Sequence, residues 1–222
     1  MNLKEYTKLA TRTESRPDEV LVNPELLVNV LYIFTAAGRM LDQIKKHAFY
    51  RKDYSVENFT IDYSMIERAM YDLQSARING TSEEMGEEKV EAINLRLLHA
   101  IIGIATESTE LCEALYNTLT GSEVDLVNLR EENGDINWYQ AIFYDAMEEL
   151  GFEGHWDDDL ETNIAKLRAR YPDKFTNENA INRDVDKERE ILEAKVTISG
   201  HDFGKIDFSE ELGPEWDEDG HK

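Results

Sequence analysis

Apolar residues recur at helical spacing along most of the chain. Leu26, Leu27, Val30, Leu31, Phe34, Met40, Leu41 and Ile44 keep the three-and-four rhythm of one helix face. Asn23-Pro24 opens that helix, with proline in a first turn where its missing N–H is harmless. The same rhythm predicts a short helix over Leu3 to Thr13, ended before Arg16-Pro17. Further helices are predicted over Val56 to Ile78, Lys89 to Tyr116, Asp125 to Leu150, Asp157 to Arg170 and Asn177 to Lys195. Asn79-Gly80, Thr120-Gly121-Ser122, Gly151 and Tyr171-Pro172 punctuate them, and Thr81 to Glu84 reads as a linker. From Val196 the chain turns acidic and glycine-bearing, which predicts a partly disordered tail. No convincing sheet is expected; Lys195 to Ile198 and Lys205 to Phe208 could at most form a small hairpin. The expectation is an all-α helical bundle in three parts: a helical region over 1–82, a helical domain over 83–195 and an acidic tail over 196–222.

Charge narrows the function. With a formal net charge of −23, the chain repels phosphate backbones, so stable nucleic-acid binding is not expected. A nucleotide remains accessible if divalent cations stand between carboxylate and phosphate. The lone Cys112 excludes an internal disulfide and fits a reducing compartment. No apolar run approaches the ~20 residues of a membrane span, and the amino terminus has no signal core. The expected setting is the cytoplasm, without a membrane partner.

The stretch from Leu26 (LLVNVLYIFTAAGRMLDQI) aligns without gaps to the stretch from Leu97 (LLHAIIGIATESTELCEAL). Further on, Ser55 to Phe59 sits where Asp125 to Leu129 does. Most matches are apolar, as two unrelated amphipathic helices could also produce, but the shared Asn58 and Asn128 are not demanded by periodicity.

The second stretch carries candidate chemistry. Glu107 and Glu110 are three apart on one helix, and Glu132 and Asp135 are three apart on the next. That spacing puts both members of a pair on one face, about 4.5 Å apart along the axis. With 47 acidic residues in 222, such pairs also arise on solvated faces. These two, however, adjoin the apolar runs LLHAIIGIA and INWYQAIF, where unpaired acids need a compensating partner. Two antiparallel helices could bring the four carboxylates together, and magnesium, a hard cation that takes oxygen ligands, would relieve their repulsion. Two such ions can activate a water and neutralise a phosphoryl leaving group.

In this pattern the chain resembles the MazG-like branch of the all-α nucleoside triphosphate pyrophosphohydrolases, which includes many phage-encoded members. The family pattern is ExxE, a spacer, then ExxD; here Glu107 to Glu110 and Glu132 to Asp135 match it. The likeness runs on through NIAKLRARYPDKF and INRD and includes the EYTKLATRTES start. It implies a MazG-like bundle hydrolysing a nucleoside triphosphate, expected to be a dNTP, to monophosphate and pyrophosphate. Glu107, Glu110, Glu132 and Asp135 would be catalytic ligands of Mg2+, or of Mn2+ in its place. It also implies that Asn163, Lys166, Arg170 and Tyr171 bind the triphosphate; the first three share one helix face by spacing.

The chain departs from the pattern at Ser108, Thr109 and Asn133, and its second-copy loop lacks a basic, aromatic stretch usual in relatives. The first copy has one, Lys45 to Lys52. Ala36, Arg39, Asp62 and Met65 occupy the first copy's four ligand positions, so that copy cannot build the metal site. The chain thus reads as a fused pseudo-dimer with a degenerate first copy that donates Lys45, Lys46 and Lys52 to phosphate; a plain solvated loop is the other reading of that stretch. Such a chain could act alone or as a homodimer. The alternative function is a catalytically inactive acidic protein that mimics nucleic acid or docks a partner. Cys112, His99, Trp138 and Tyr139 are expected in the core, and Glu113 beside the acidic face.

Overall fold

The computed structural model describes residues 1–75, 86–152, 154–172 and 174–194, and among them the chain is almost wholly helical. Helix α1 (Leu3–Ala10) is capped by Asn2, whose side chain accepts the Glu5 N–H, and runs into one 3-10 turn at Thr11–Thr13. An arm of residues 14–20 follows. Helices α2 (Pro24–Tyr50) and α3 (Val56–Ser75) form a first antiparallel hairpin; α4 (Leu95–Leu119) and α5 (Leu126–Glu149) form a second. Helices α6 (Trp156–Arg170), α7 (Asn177–Ile181) and α8 (Val185–Glu193) complete the described chain.

Side-chain caps set the starts. The Leu26 N–H donates to Asn23 and the Leu97 N–H to Asn94; the Asn58 N–H donates to Ser55 and the Asn128 N–H to Asp125. These caps occupy matching places in the two aligned stretches.

The structure departs from expectation in four places. Asn94 delays the start of α4, and Lys89 falls instead in a two-residue strand: β1 (Leu21–Val22) pairs antiparallel with β2 (Glu88–Lys89). Helix α2 continues to Tyr50, so Lys45 and Lys46 stand on a helix and not on a loop. It ends at Arg51, in the left-handed region at φ 60, whose N–H satisfies His47. The helix expected over Asn177 to Lys195 breaks where Asp184 caps α8 by accepting the Lys187 N–H. Cys112 is exposed, on the side of α4 opposite Gly103. The Asn79-Gly80 cap, the Thr81 to Glu84 linker, the 195–208 hairpin and the tail from Val196 lie outside the described residues.

The tightest packing lies between α4 and α5, where Ala100, Gly103, Ala141, Ile142 and Ala146 are buried. A Cβ at Gly103 would meet the Tyr139 ring at 2.1 Å, so this crossing requires glycine. Helix α1 lies against α5, and the Trp138 indole donates to the Ala10 carbonyl. The arm is pinned to α4 by ions: Glu14, whose side chain is 0% exposed, receives two hydrogen bonds from Arg96, itself 10% exposed. Arg96 also holds Asp145 and Glu149 on α5. Among the described residues, no helix is long and apolar enough to cross a membrane.

Candidate metal centre

Helices α4 and α5 run antiparallel, so Glu107, one turn beyond Gly103, comes level with the first turns of α5. Carboxylate oxygens of Glu107, Glu132 and Asp135 all lie within 4.8 Å of one another. Two oxygens on opposite sides of a magnesium ion are about 4.2 Å apart, so a small side-chain adjustment would close the trio on one ion. The donor set is all oxygen and all anionic, which suits a hard divalent cation.

Glu132 is buried at 5% exposure, Glu107 is half-buried and Asp135 is exposed. Burial first, then the charge of Glu110, push the Glu132 carboxyl above its ordinary value; Glu107 and Glu131 add to this. The Asn128 side-chain amide, one turn earlier, donates to Glu132 Oε1 and opposes the shift. Among the described residues, no cationic side chain hydrogen-bonds to Glu132. Glu110 is exposed and lies outside the trio, within electrostatic reach of Glu132.

Two tyrosines border the acids. Burial, and then the charges of Glu107 and Asp135, raise the Tyr139 hydroxyl; burial and Asp135 raise that of Tyr6 on α1. Both therefore stay protonated as donors. Spacing on one helix could not show Tyr6, which arrives from a distant helix. Asn128 was readable as the residue four before Glu132. His99, Trp138 and Tyr139, expected in the core, are half-buried instead and pack ring to ring.

The first hairpin resolves its matching positions differently. Arg39 Nε donates to Asp62 Oδ1 at 2.6 Å, its guanidinium also meets the Met65 sulfur, and Ala36 is fully buried. A guanidinium stands there among the positions that carry carboxylates in the second hairpin.

The residues expected to bind triphosphate are more scattered. Lys45 and Lys46 both pair with Asp42, and hydrogen bonds from the two lysines lower its pKa; Lys52 is exposed past the end of α2. On α6, Asn163 is exposed and Lys166 half-buried, while Arg170 makes two hydrogen bonds to Glu188. The Tyr171 ring meets that of Phe175, and Phe175 meets Tyr50 at 5.6 Å between centroids, both pairs tilted. The basic end of α2 and the end of α6 therefore meet through aromatic rings.

Comparison of the chain with protein-family models, curated proteins and solved structures found no match.

Proposed function

We propose that the chain is a magnesium-dependent nucleoside triphosphate pyrophosphohydrolase of the MazG-like kind. The observation that supports this most is the convergence of Glu107, Glu132 and Asp135 from two helices, with Glu132 buried and, among the described residues, lacking a cationic partner. In this reading those three hold Mg2+, or Mn2+. The bound cation would neutralise the acids and draw charge from phosphoryl oxygens.

The chain's own groups supply the rest. Asn128 orients the Glu132 carboxylate, as second partners of metal-holding groups do. Tyr139 and Tyr6 offer protonated hydroxyls to phosphate oxygens. Glu110, outside the trio, is proposed to complete the ligand set or to take the proton from the attacking water. Water adds to phosphorus, the bond to the bridging oxygen breaks, and pyrophosphate leaves from a nucleoside monophosphate. Asn163, Lys166 and the Lys45 to Lys52 stretch are the cations and amides proposed to meet the phosphate chain. Matching helix caps in the two hairpins support an origin by duplication, with the first copy stripped of its acids.

The test is a panel of ribo- and deoxynucleoside triphosphates with and without magnesium. Release of pyrophosphate that requires magnesium is the expected result. Release of orthophosphate would indicate a stepwise phosphohydrolase, and no release from any nucleotide would favour an acidic docking protein with relic carboxylates.

A further inference from the structure

On α2 the row turned towards α3 includes Ile33, Ala36 and Met40, and on α3 the row facing back includes Phe59, Asp62 and Ala69; Ala36, Asp62 and Ala69 are buried. One residue on from such a row, a helix has turned by about 100°. Those positions are Val30, Phe34, Ala37, Leu41 and Ile44 on α2, and Val56, Thr60, Tyr63 and Met70 on α3. Because the two right-handed helices run antiparallel, both rows turn to the same side of the hairpin. Their large apolar members are between 44% and 77% exposed. A groove of about 580 Å³ lies between the rows, where Ile44, Val56 and Tyr63 line it together with Met40 and Phe59.

Monomeric proteins rarely expose a contiguous apolar patch of more than a few hundred Å². The large apolar side chains of these two rows expose roughly 600 Å². Each half of a stable interface is ~800 Å², of which about 60% is apolar, so this face is large enough to hold a partner. Charge points to the occupant. The chain carries a net charge of −23, yet residues 24–75 hold seven Asp and Glu against six Lys and Arg. Two copies that repel each other elsewhere can approach at this hairpin, whereas a basic partner would be drawn to the other surfaces.

We infer that this face binds the same face of a second copy of the chain, making a four-helix bundle from two α2–α3 hairpins. Such a contact is isologous, so each large side chain must find a recess on the partner. Ala37 and Gly38 supply one: they lie between Phe34 and Leu41, and a Cβ at Gly38 would touch nothing. Helix axes that approach to ~8–10 Å need small residues of this kind at the crossing. The first hairpin then assembles the molecule, whether or not the second hydrolyses a nucleotide.

Sedimentation equilibrium of the full-length chain should show a dimer at micromolar concentration. Raising salt from about 0.05 to about 0.5 M should tighten it, because screening relaxes the repulsion between the acidic remainders of the two copies. Leu41→Glu and, independently, Val56→Glu should each weaken the dimer at least about a hundredfold. Val56 opens α3, where an acid suits the helix N-terminus, so that variant keeps its hairpin; circular dichroism checks the helical content of both. Val28→Glu and Tyr32→Glu, at exposed positions one residue before the α3-facing row and so on the other side of α2, should leave the dimer intact. A chain that stays monomeric into the millimolar range would overturn the inference, as would a dimer that Leu41→Glu and Val56→Glu leave unchanged or that the Val28 and Tyr32 variants dissolve equally. A monomer that floats with phosphatidylcholine vesicles would also overturn it and assign the face to a lipid surface.

Discussion

The two helical hairpins begin alike and solve one electrostatic problem in opposite ways. Each starts with an asparagine cap, and each second helix starts with a capping Ser55 or Asp125. In the first, the buried Asp62 meets an internal cation, Arg39. In the second, the equally buried Glu132 has more acids around it and, among the described residues, only the neutral Asn128 to hold it. A carboxylate buried against its own kind is costly to the free fold. Its retention makes sense if something outside the chain supplies the positive charge. The difference is why the proposed chemistry is assigned to the second hairpin.

That contrast gives predictions of descending size. Glu132→Gln or Asp135→Asn should lower magnesium-dependent pyrophosphate release by at least about a hundredfold, measured as initial rates. Opposite signs in stability should follow from removing one charge in each hairpin. Arg39→Ala leaves Asp62 buried and unpaired, and because Arg39 is 44% exposed the loss should be about 1–2 kcal/mol in urea denaturation. Glu132→Gln should instead stabilise the metal-free chain. If both variants destabilise, the contrast drawn between the hairpins is wrong.

The pH dependence sharpens it. Glu132 holds its proton more tightly folded than unfolded, so the native state binds more protons between the ordinary glutamate value and the raised one. Its effect is therefore a loss of stability as pH rises through that window, and saturating magnesium should suppress it. Glu188 behaves in the opposite way. Hydrogen bonds from Arg170 and Arg183 lower it to about 2, so its contribution is present above the ordinary glutamate value and is lost as pH falls towards about 2. Thermal melts across pH, with chelator and with magnesium, separate the two. Gly103→Ala should cost about 1–3 kcal/mol by pushing Tyr139 aside. The smallest effect belongs to Lys45→Ala/Lys46→Ala/Lys52→Ala, a KM rise of about twofold to fivefold, because two of these lysines already pair with Asp42. An unchanged KM would reduce the stretch to a solvated surface.

Much of this was legible in the residues. Periodicity and breakers located the helices, since both are local properties of the chain. The delayed start of α4 and the break before α8 were less so, because Asn94 and Asp184 compete with helix propensity through their own side-chain bonds. Spacing grouped Glu107 with Glu110 and Glu132 with Asp135, yet only three of the four converge, because interhelical geometry decides which carboxylates meet. The Arg39–Asp62 pair and the approach of Tyr6 depend on contacts between different helices, which no single-helix pattern encodes. Cys112 shows the same limit in reverse: expected on an apolar face, it stands opposite Gly103 on the exposed side of α4.

The most direct test of the central claim is Mn2+ titration of the full-length chain followed by electron paramagnetic resonance, wild type against Glu132→Gln. The acidic surface will gather some manganese in both, so the difference between them is what counts. The account predicts a tight site in the wild type, weakened at least about tenfold by the substitution. Equal uptake by the two proteins would contradict it.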